Sequence, residues 1–181
     1  MRIISGNFKG KKILQPKNTI TRPLKDLTKE SIFNILIHSN KFSIKIENSN
    51  ILDLFSGVGS FGLECLSRGS PSLTFVENYK EVLPILKKNI SNLNYQNKSS
   101  VIEKNILDKL DFKIFSKKFD IIFMDPPYKE KNLSKLLSKI IEANILNQKG
   151  IMIIHRHKSE NDKLPDNFNI IEEKTYGISK I

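Results

Sequence analysis

Thiols are nearly absent from this chain. A single cysteine, Cys65, in 181 residues excludes an internal disulfide framework and a multi-thiolate metal cluster, and it suits a reducing cytosol. Long apolar runs are missing too: none approaches the ~18 residues of a membrane span. No apolar segment follows the basic N-terminus, so nothing there reads as a secretory signal. Acid is scarce, with 19 Asp and Glu against 30 Lys and Arg and a formal net charge of +11. The first 25 residues contain no acid, only Arg2, Lys9, Lys11, Lys12, Lys17, Arg22 and Lys25. Apolar residues are plentiful at 39%, which excludes a fully disordered chain, and the length suits one domain rather than two.

The charge has two sources. Twenty-six Lys against 4 Arg, beside 18 Asn and 27 Ile, is a profile that coding bias alone produces, so scattered lysines carry little meaning. An acid-free N-terminal stretch is harder to assign to bias and points to a polyanion, a nucleic acid above all. Charge does not choose RNA over DNA.

Read along the chain, Arg2–Ser5 and Lys11–Leu14 are short strands joined through Gly6 and Gly10, and residues 16–23 form a loop. Asp26–His38 has a helical apolar face with Asp26 as N-cap. Residues 40–50 are polar and loop-like. Strand and helix then alternate: Ile51–Phe55, helix Phe61–Arg68 closed by Gly69, Leu73–Val76, helix Tyr79–Leu93 with Pro84 near its start, Ser100–Glu103, Asp120–Met124, helix Leu133–Leu146 and Ile151–His155. Phe168–Glu173 and Ile178–Ile181 form a closing hairpin around Gly177. This alternation predicts a doubly wound, mostly parallel α/β sheet, residues 50–181, behind a basic extension, residues 1–40.

Two loops carry chemistry. Asp53-Leu54-Phe55-Ser56-Gly57-Val58-Gly59-Ser60-Phe61-Gly62 follows a strand and opens a helix, where open α/β sheets bind ligands. Its glycines allow close backbone approach, and the helix start offers unpaired N–H groups. Glu77, twenty residues after Gly57, ends the next strand, where a carboxylate holds ribose hydroxyls. A dinucleotide needs this loop to cradle a pyrophosphate. S-adenosylmethionine, cationic and without phosphate, favours an acid ahead of the glycines, and Asp53 leans the choice that way without settling it.

Met124-Asp125-Pro126-Pro127-Tyr128 follows the fourth core strand. The prolines fix φ and donate no hydrogen bonds, leaving a rigid array of acceptors beside an aromatic plate. An exocyclic amine on a nucleobase is a poor nucleophile because its lone pair is delocalised into the ring. Accepting its two N–H bonds, at the Asp125 carboxylate and the Pro126 carbonyl, localises that pair, and stacking on Tyr128 fixes the base at about 1–3 kcal/mol.

At these residues the sequence resembles amino-methyltransferases, and more closely the RsmD family of small-subunit ribosomal RNA guanine-N2 methyltransferases. The resemblance runs through Arg2-Ile3-Ile4-Ser5-Gly6, Lys9-Gly10-Lys11-Lys12, Arg22-Pro23, Lys29 to Leu36, Leu52 to Gly57, Gly62 to Gly69, Lys88-Asn89 and Asp125-Pro126-Pro127-Tyr128. It implies a Rossmann-like S-adenosylmethionine methyltransferase fold, with helices on both faces, a C-terminal antiparallel strand, and a basic N-terminal β-hairpin and helix. It implies a cytoplasmic monomer that methylates one guanine of 16S ribosomal RNA, on a partly assembled small subunit, with no metal. Asp125, Pro126 and Tyr128 then take the catalytic roles. Asp53, Phe55, Ser56, Gly57, Gly59, Glu77, Asn105, Asp125 and Arg22 line the donor site, and Arg2, Lys9, Lys11, Lys12 and Arg22 meet RNA.

The chain departs from the family pattern in places. Leu24 stands where a Thr is usual, removing a hydroxyl. Lys29 replaces an arginine, removing a bidentate fork. His155 stands where Glu is common, and with Arg156 and His157 it is positioned to touch phosphate or to serve structure. The chain stops at Ile181, which makes the last strand short. Cys65 reads as a core residue. Competing readings are a DNA amino-methyltransferase, for which the chain lacks a target-recognition region, a non-catalytic ribosome-assembly protein with a relic cofactor fold, and a dinucleotide oxidoreductase.

Overall fold

A computed structural model describes residues 1–17, 24–166 and 168–181. Five parallel strands form the central sheet: β1 (Asn50–Leu54), β2 (Ser72–Val76), β3 (Ser99–Ile102), β4 (Phe119–Met124) and β5 (Leu146–Ile154), in the order β3-β2-β1-β4-β5. Crossovers carry α2 (Ser60–Ser67), α3 (Leu83–Asn92) and α4 (Leu133–Glu142), and α1 (Asp26–His38) precedes the sheet. Strand order reverses beside β1, so the loops after β1 and β4 open at the switch point where such sheets bind ligands. Among the described residues no helix is long and apolar enough to cross a membrane.

Each face of the sheet buries its own core. Ile51 faces Phe61, Leu63 and Leu66 of α2, whereas Leu52 and Leu54 face Leu136, Leu137 and Ile140 of α4. Period-2 alternation along β1 therefore places Asp53 on the α2 face, between apolar layers. An aromatic column runs through that layer: Phe33 of α1 stacks on Phe61 at 5.3 Å, and Phe61 on Phe123 of β4 at 4.0 Å. Gly62 permits close packing of α2 on β2, because a Cβ there would lie 2.4 Å from Phe75.

Several expectations are adjusted. The basic hairpin forms, but its arms share one isolated bridge, Arg2 to Lys12, in place of two regular strands. Asp26 is the first helical residue and not the cap; Lys25 holds the cap position, and the Asp26 carboxylate accepts the Arg2 N–H at 3.4 Å. Helix α3 begins four residues later than Tyr79, with Pro84 in its first turn where a missing N–H costs nothing. Helix α4 ends at Glu142, and Asn144 turns out of it at φ 50°. The closing hairpin around Gly177 pairs β7 (Thr175–Tyr176) with β8 (Ser179–Lys180), and β8 pairs antiparallel with β6 (Arg156–His157). Residues 168–173 are not a strand; Phe168 packs against the core, while Ile170 and Ile171 stay exposed. Leu24 is buried in the apolar core beside α1. Most of the expected loop 16–23 lies outside the described residues.

Candidate active site

Register brings the chemistry to one edge. Leu54 pairs with Val76 and with Met124, and Met124 pairs with Ile154. The residues that follow these strand ends, Phe55, Glu77, Asp125 and His155, therefore stand along the carboxyl edge of the sheet.

The glycine loop turns through left-handed backbone. Phe55 has φ 59°, Gly57 φ 55° and Gly59 φ 85°. A side chain on Gly57 would meet open space, so its smallness serves backbone conformation and access. Ser56 is spent on the scaffold: its hydroxyl lies 2.6 Å from the Asp53 carbonyl and accepts the Val76 N–H at 3.0 Å. Glu77 is held facing the loop, accepting N–H bonds from Gly57 at 2.7 Å, Asn78 at 2.8 Å and Tyr79 at 2.9 Å.

Asp53 is 1% exposed. Its Oδ2 accepts the Gly62 N–H at 3.1 Å, whereas its Oδ1 is buried with no hydrogen-bond partner. Burial pushes this carboxyl well above the ordinary aspartate range, and the charges of Asp125 and Glu77 push the same way. The Ser60 hydroxyl, at the start of α2, is also buried without a partner. Two orphaned polar atoms, open space at Gly57 and three convergent carboxylates fit a cationic, ribose-bearing ligand better than a pyrophosphate. Sequence reasoning missed Ser60; its place at the first turn of a helix after a glycine loop was the available signal.

Asp125 begins the acceptor loop. Its N–H reaches the Leu54 carbonyl at 3.5 Å, tying this loop to β1. Its Oδ1 meets Nδ1 of His155 at 2.8 Å. Pro126 is buried and Tyr128 half-buried, with the Tyr128 ring edge-on to His157 at 5.3 Å. Arg156, 2% exposed, does not reach solvent phosphate. Its guanidinium grips Asp162 at 2.7 and 2.9 Å and donates to the carbonyls of Pro127 at 3.1 Å and Glu130 at 2.8 Å. His155 is buried as well, and the half-buried His157 contacts Ser159 at 2.6 Å.

Asn105 is turned onto its own loop, its Oδ1 accepting the Leu107 N–H at 2.9 Å. Arg22 lies outside the described residues. Arg2, Lys9, Lys11 and Lys12 are exposed together on the N-terminal hairpin. Cys65 is fully buried, and burial pushes its thiol up, so it is an inert core residue. A cavity of about 300 Å³ lies away from both loops, between α1, the outer edge of β5 and residues 164–173. It is mostly apolar, and Ile154, Arg156 and Asp162 are among the residues that line it.

The sequence profile of the family described as Conserved hypothetical protein 95 matches residues 1–181. The ribosomal RNA small subunit methyltransferase D of Haemophilus influenzae is 34% identical over 179 residues, 98% of this chain and 90% of that protein. A putative rRNA methyltransferase of Bacillus subtilis is 32% identical, covering 100% and 96% of the two chains. The crystal structure of a putative methylase from Haemophilus influenzae superposes with a TM-score of 0.75 at 32% identity, covering 99% of this chain and 94% of that one.

Proposed function

Since the chain belongs to the Conserved hypothetical protein 95 family, we propose that it is an S-adenosylmethionine-dependent RNA methyltransferase acting on the exocyclic N2 amine of a guanine in small-subunit ribosomal RNA. The observation that carries this reading is the juxtaposition of the glycine loop and the Asp125 loop at the ends of adjacent strands, β1 and β4. Asp53, the loop from Phe55 to Gly59, Ser60 and Glu77 hold the donor. When bound, S-adenosylmethionine supplies a methyl electrophile whose carbon–sulfur bond breaks onto sulfur as the amine nitrogen takes the methyl carbon and gives up a proton.

The chain's own contribution is orientation. Asp125 and the Pro126 carbonyl accept the two amine N–H bonds, and Tyr128 stacks on the base. No strong base is needed beforehand, because the nitrogen becomes acidic once methylated. The exposed cations Arg2, Lys9, Lys11 and Lys12 meet phosphate, which suits a structured RNA or a partly assembled small subunit in the cytoplasm.

Asp125→Ala tests the assignment. With 16S RNA or small-subunit particles and labelled donor, methyl transfer falls to background while donor affinity, measured by calorimetry, changes little. An active Asp125→Ala enzyme refutes the role given to the carboxylate.

A further inference from the structure

We propose that His155 and Arg156, consecutive residues at the β5–β6 junction, are positioning residues that preset the acceptor array of the Asp125 loop; the inference rests on the methyltransfer reading above. Both side chains are buried, at 5% and 2% exposure, and both bond to the Asp125 loop. Each holds a different part of it.

His155 aims the carboxylate. Its backbone N–H donates to the Met124 carbonyl at 2.9 Å, which sets the ring beside Asp125, and Nδ1 meets Asp125 Oδ1 at 2.8 Å. A carboxylate only accepts, so Nδ1 donates in this contact. Nε2 is buried with no partner among the described residues, and a proton there would be a donor without an acceptor. The ring is thus held as the Nδ1–H tautomer. An aspartate's last torsion is broad, so an unanchored carboxylate swings. With Oδ1 committed to His155, the second oxygen is the one presented to the amine.

Arg156 aims the backbone. Its bidentate grip on Asp162 fixes the guanidinium plane, and that plane donates to the carbonyls of Pro127 and Glu130, on either side of Tyr128. The carbonyl it takes is Pro127's, one residue beyond the Pro126 carbonyl that faces the amine.

Three variants in the transfer assay, and nitrogen-15 spectra of the wild type and of Asp125→Asn, test the clamp. His155→Leu removes the donor, His155→Asn keeps an N–H close to the Nδ1 position, and Arg156→Lys keeps charge without the fork. Single-turnover transfer at saturating donor and RNA is expected to fall about 10–100-fold in His155→Leu and Arg156→Lys, the scale of an ångström-sized misplacement. Donor Kd and RNA KM are expected to stay within about twofold, because the clamp orients a group and adds no binding contact. His155→Asn is expected to recover most of the rate. Nitrogen-15 NMR of the wild-type protein is expected to show Nδ1 protonated, with a signal that moves in Asp125→Asn.

A fully active His155→Leu overturns the proposal, as does an Nε2–H tautomer in the spectrum. So does a loss spread equally over kcat, KM, donor affinity and melting temperature with no rescue by Asn, the signature of a merely structural role. Should His155→Leu not fold, His155→Asn, Arg156→Lys and the wild-type spectrum decide. A wild-type enzyme that methylates no small-subunit RNA or particle overturns the proposed function itself and this inference with it. An active wild type with an insensitive clamp overturns the clamp alone.

Discussion

At the scale of single residues, burial sets the behaviour of Asp53. Its carboxyl is pushed up first by loss of water, then by the neighbouring charges of Asp125 and Glu77, against the Gly62 N–H that favours the anion. A carboxyl that holds its proton more tightly when folded contributes stability below its ordinary value of 3.8, and that stability is lost as pH rises through the folded value. At neutral pH the charged form therefore works against the fold until a cation meets it. Asp53→Asn keeps an oxygen for Gly62 and cannot ionise. It should melt higher than wild type at pH 8, by less at pH 5, with about 2–4 °C for each kcal/mol recovered. The same change should weaken binding of the cationic donor. Equal melting at pH 8 would remove the electrostatic account of this site. The placement of Asp53, Glu77, the glycines and Asp125 at one edge of the sheet was legible in the sequence because each sits at a fixed spacing beside a strand end. The burial of His155 and Arg156 was not legible, since it depends on Asp125 and Asp162, side chains brought beside them only by the sheet and the β6 turn.

At the scale of elements, the N-terminal hairpin is fastened to the core by buried polar groups. Glu64 of α2, fully buried, accepts the N–H groups of Ile4 at 2.7 Å and Ser5 at 2.9 Å and pairs with Arg68 at 2.8 Å. Lys29, also fully buried, donates to the Arg2 carbonyl at 2.6 Å and lies 3.6 Å from Glu64. Its ammonium is lowered mainly by burial, with Glu64 and Asp26 opposing. Gly6 completes the dock: at φ 82° it lies so close to α2 that a Cβ would fall 1.9 Å from the Ser67 carbonyl oxygen. Glu64→Ala strands Lys29 and two N–H groups, so it should cost about 3–5 kcal/mol in urea unfolding and expose the Lys9–Lys12 turn to trypsin. A variant that unfolds like wild type and resists trypsin would place the dock on Gly6, Ser67 and Asn89 instead. The core strands were readable because short apolar runs alternate with helical periodicity along the chain. Residues 168–173 carry a comparable apolar pair, Ile170 and Ile171, yet do not join the β5 ladder, a fact of packing that no local pattern records.

For the whole molecule, the net charge of +11 matters less than where its acid-free part is mounted. Asn89 of α3 accepts the Leu14 N–H at 2.9 Å and donates to the carbonyls of Leu14 and Val58, so one side chain joins the basic hairpin to the glycine loop. The cationic patch is therefore tied to the loop that, on the proposed reading, holds the donor. A phosphate backbone gripped there is held at a fixed offset from Asp125 without any separate recognition domain. On the proposed reading methyl transfer draws nothing from those lysines, whereas RNA docking would draw on released counterions, roughly 0.7–0.9 per phosphate neutralised. Replacing Lys9, Lys11 and Lys12 with glutamine should lower the slope of log affinity against log salt by about 2–3. Because the patch and the reacting centre share no side chain, kcat at saturating RNA should hold while KM rises. Filter binding between 50 and 200 mM salt, paired with single-turnover transfer, reads both quantities. An unchanged slope would remove the hairpin from the RNA interface, and a fall in kcat alone would mean that these lysines act at the reacting centre.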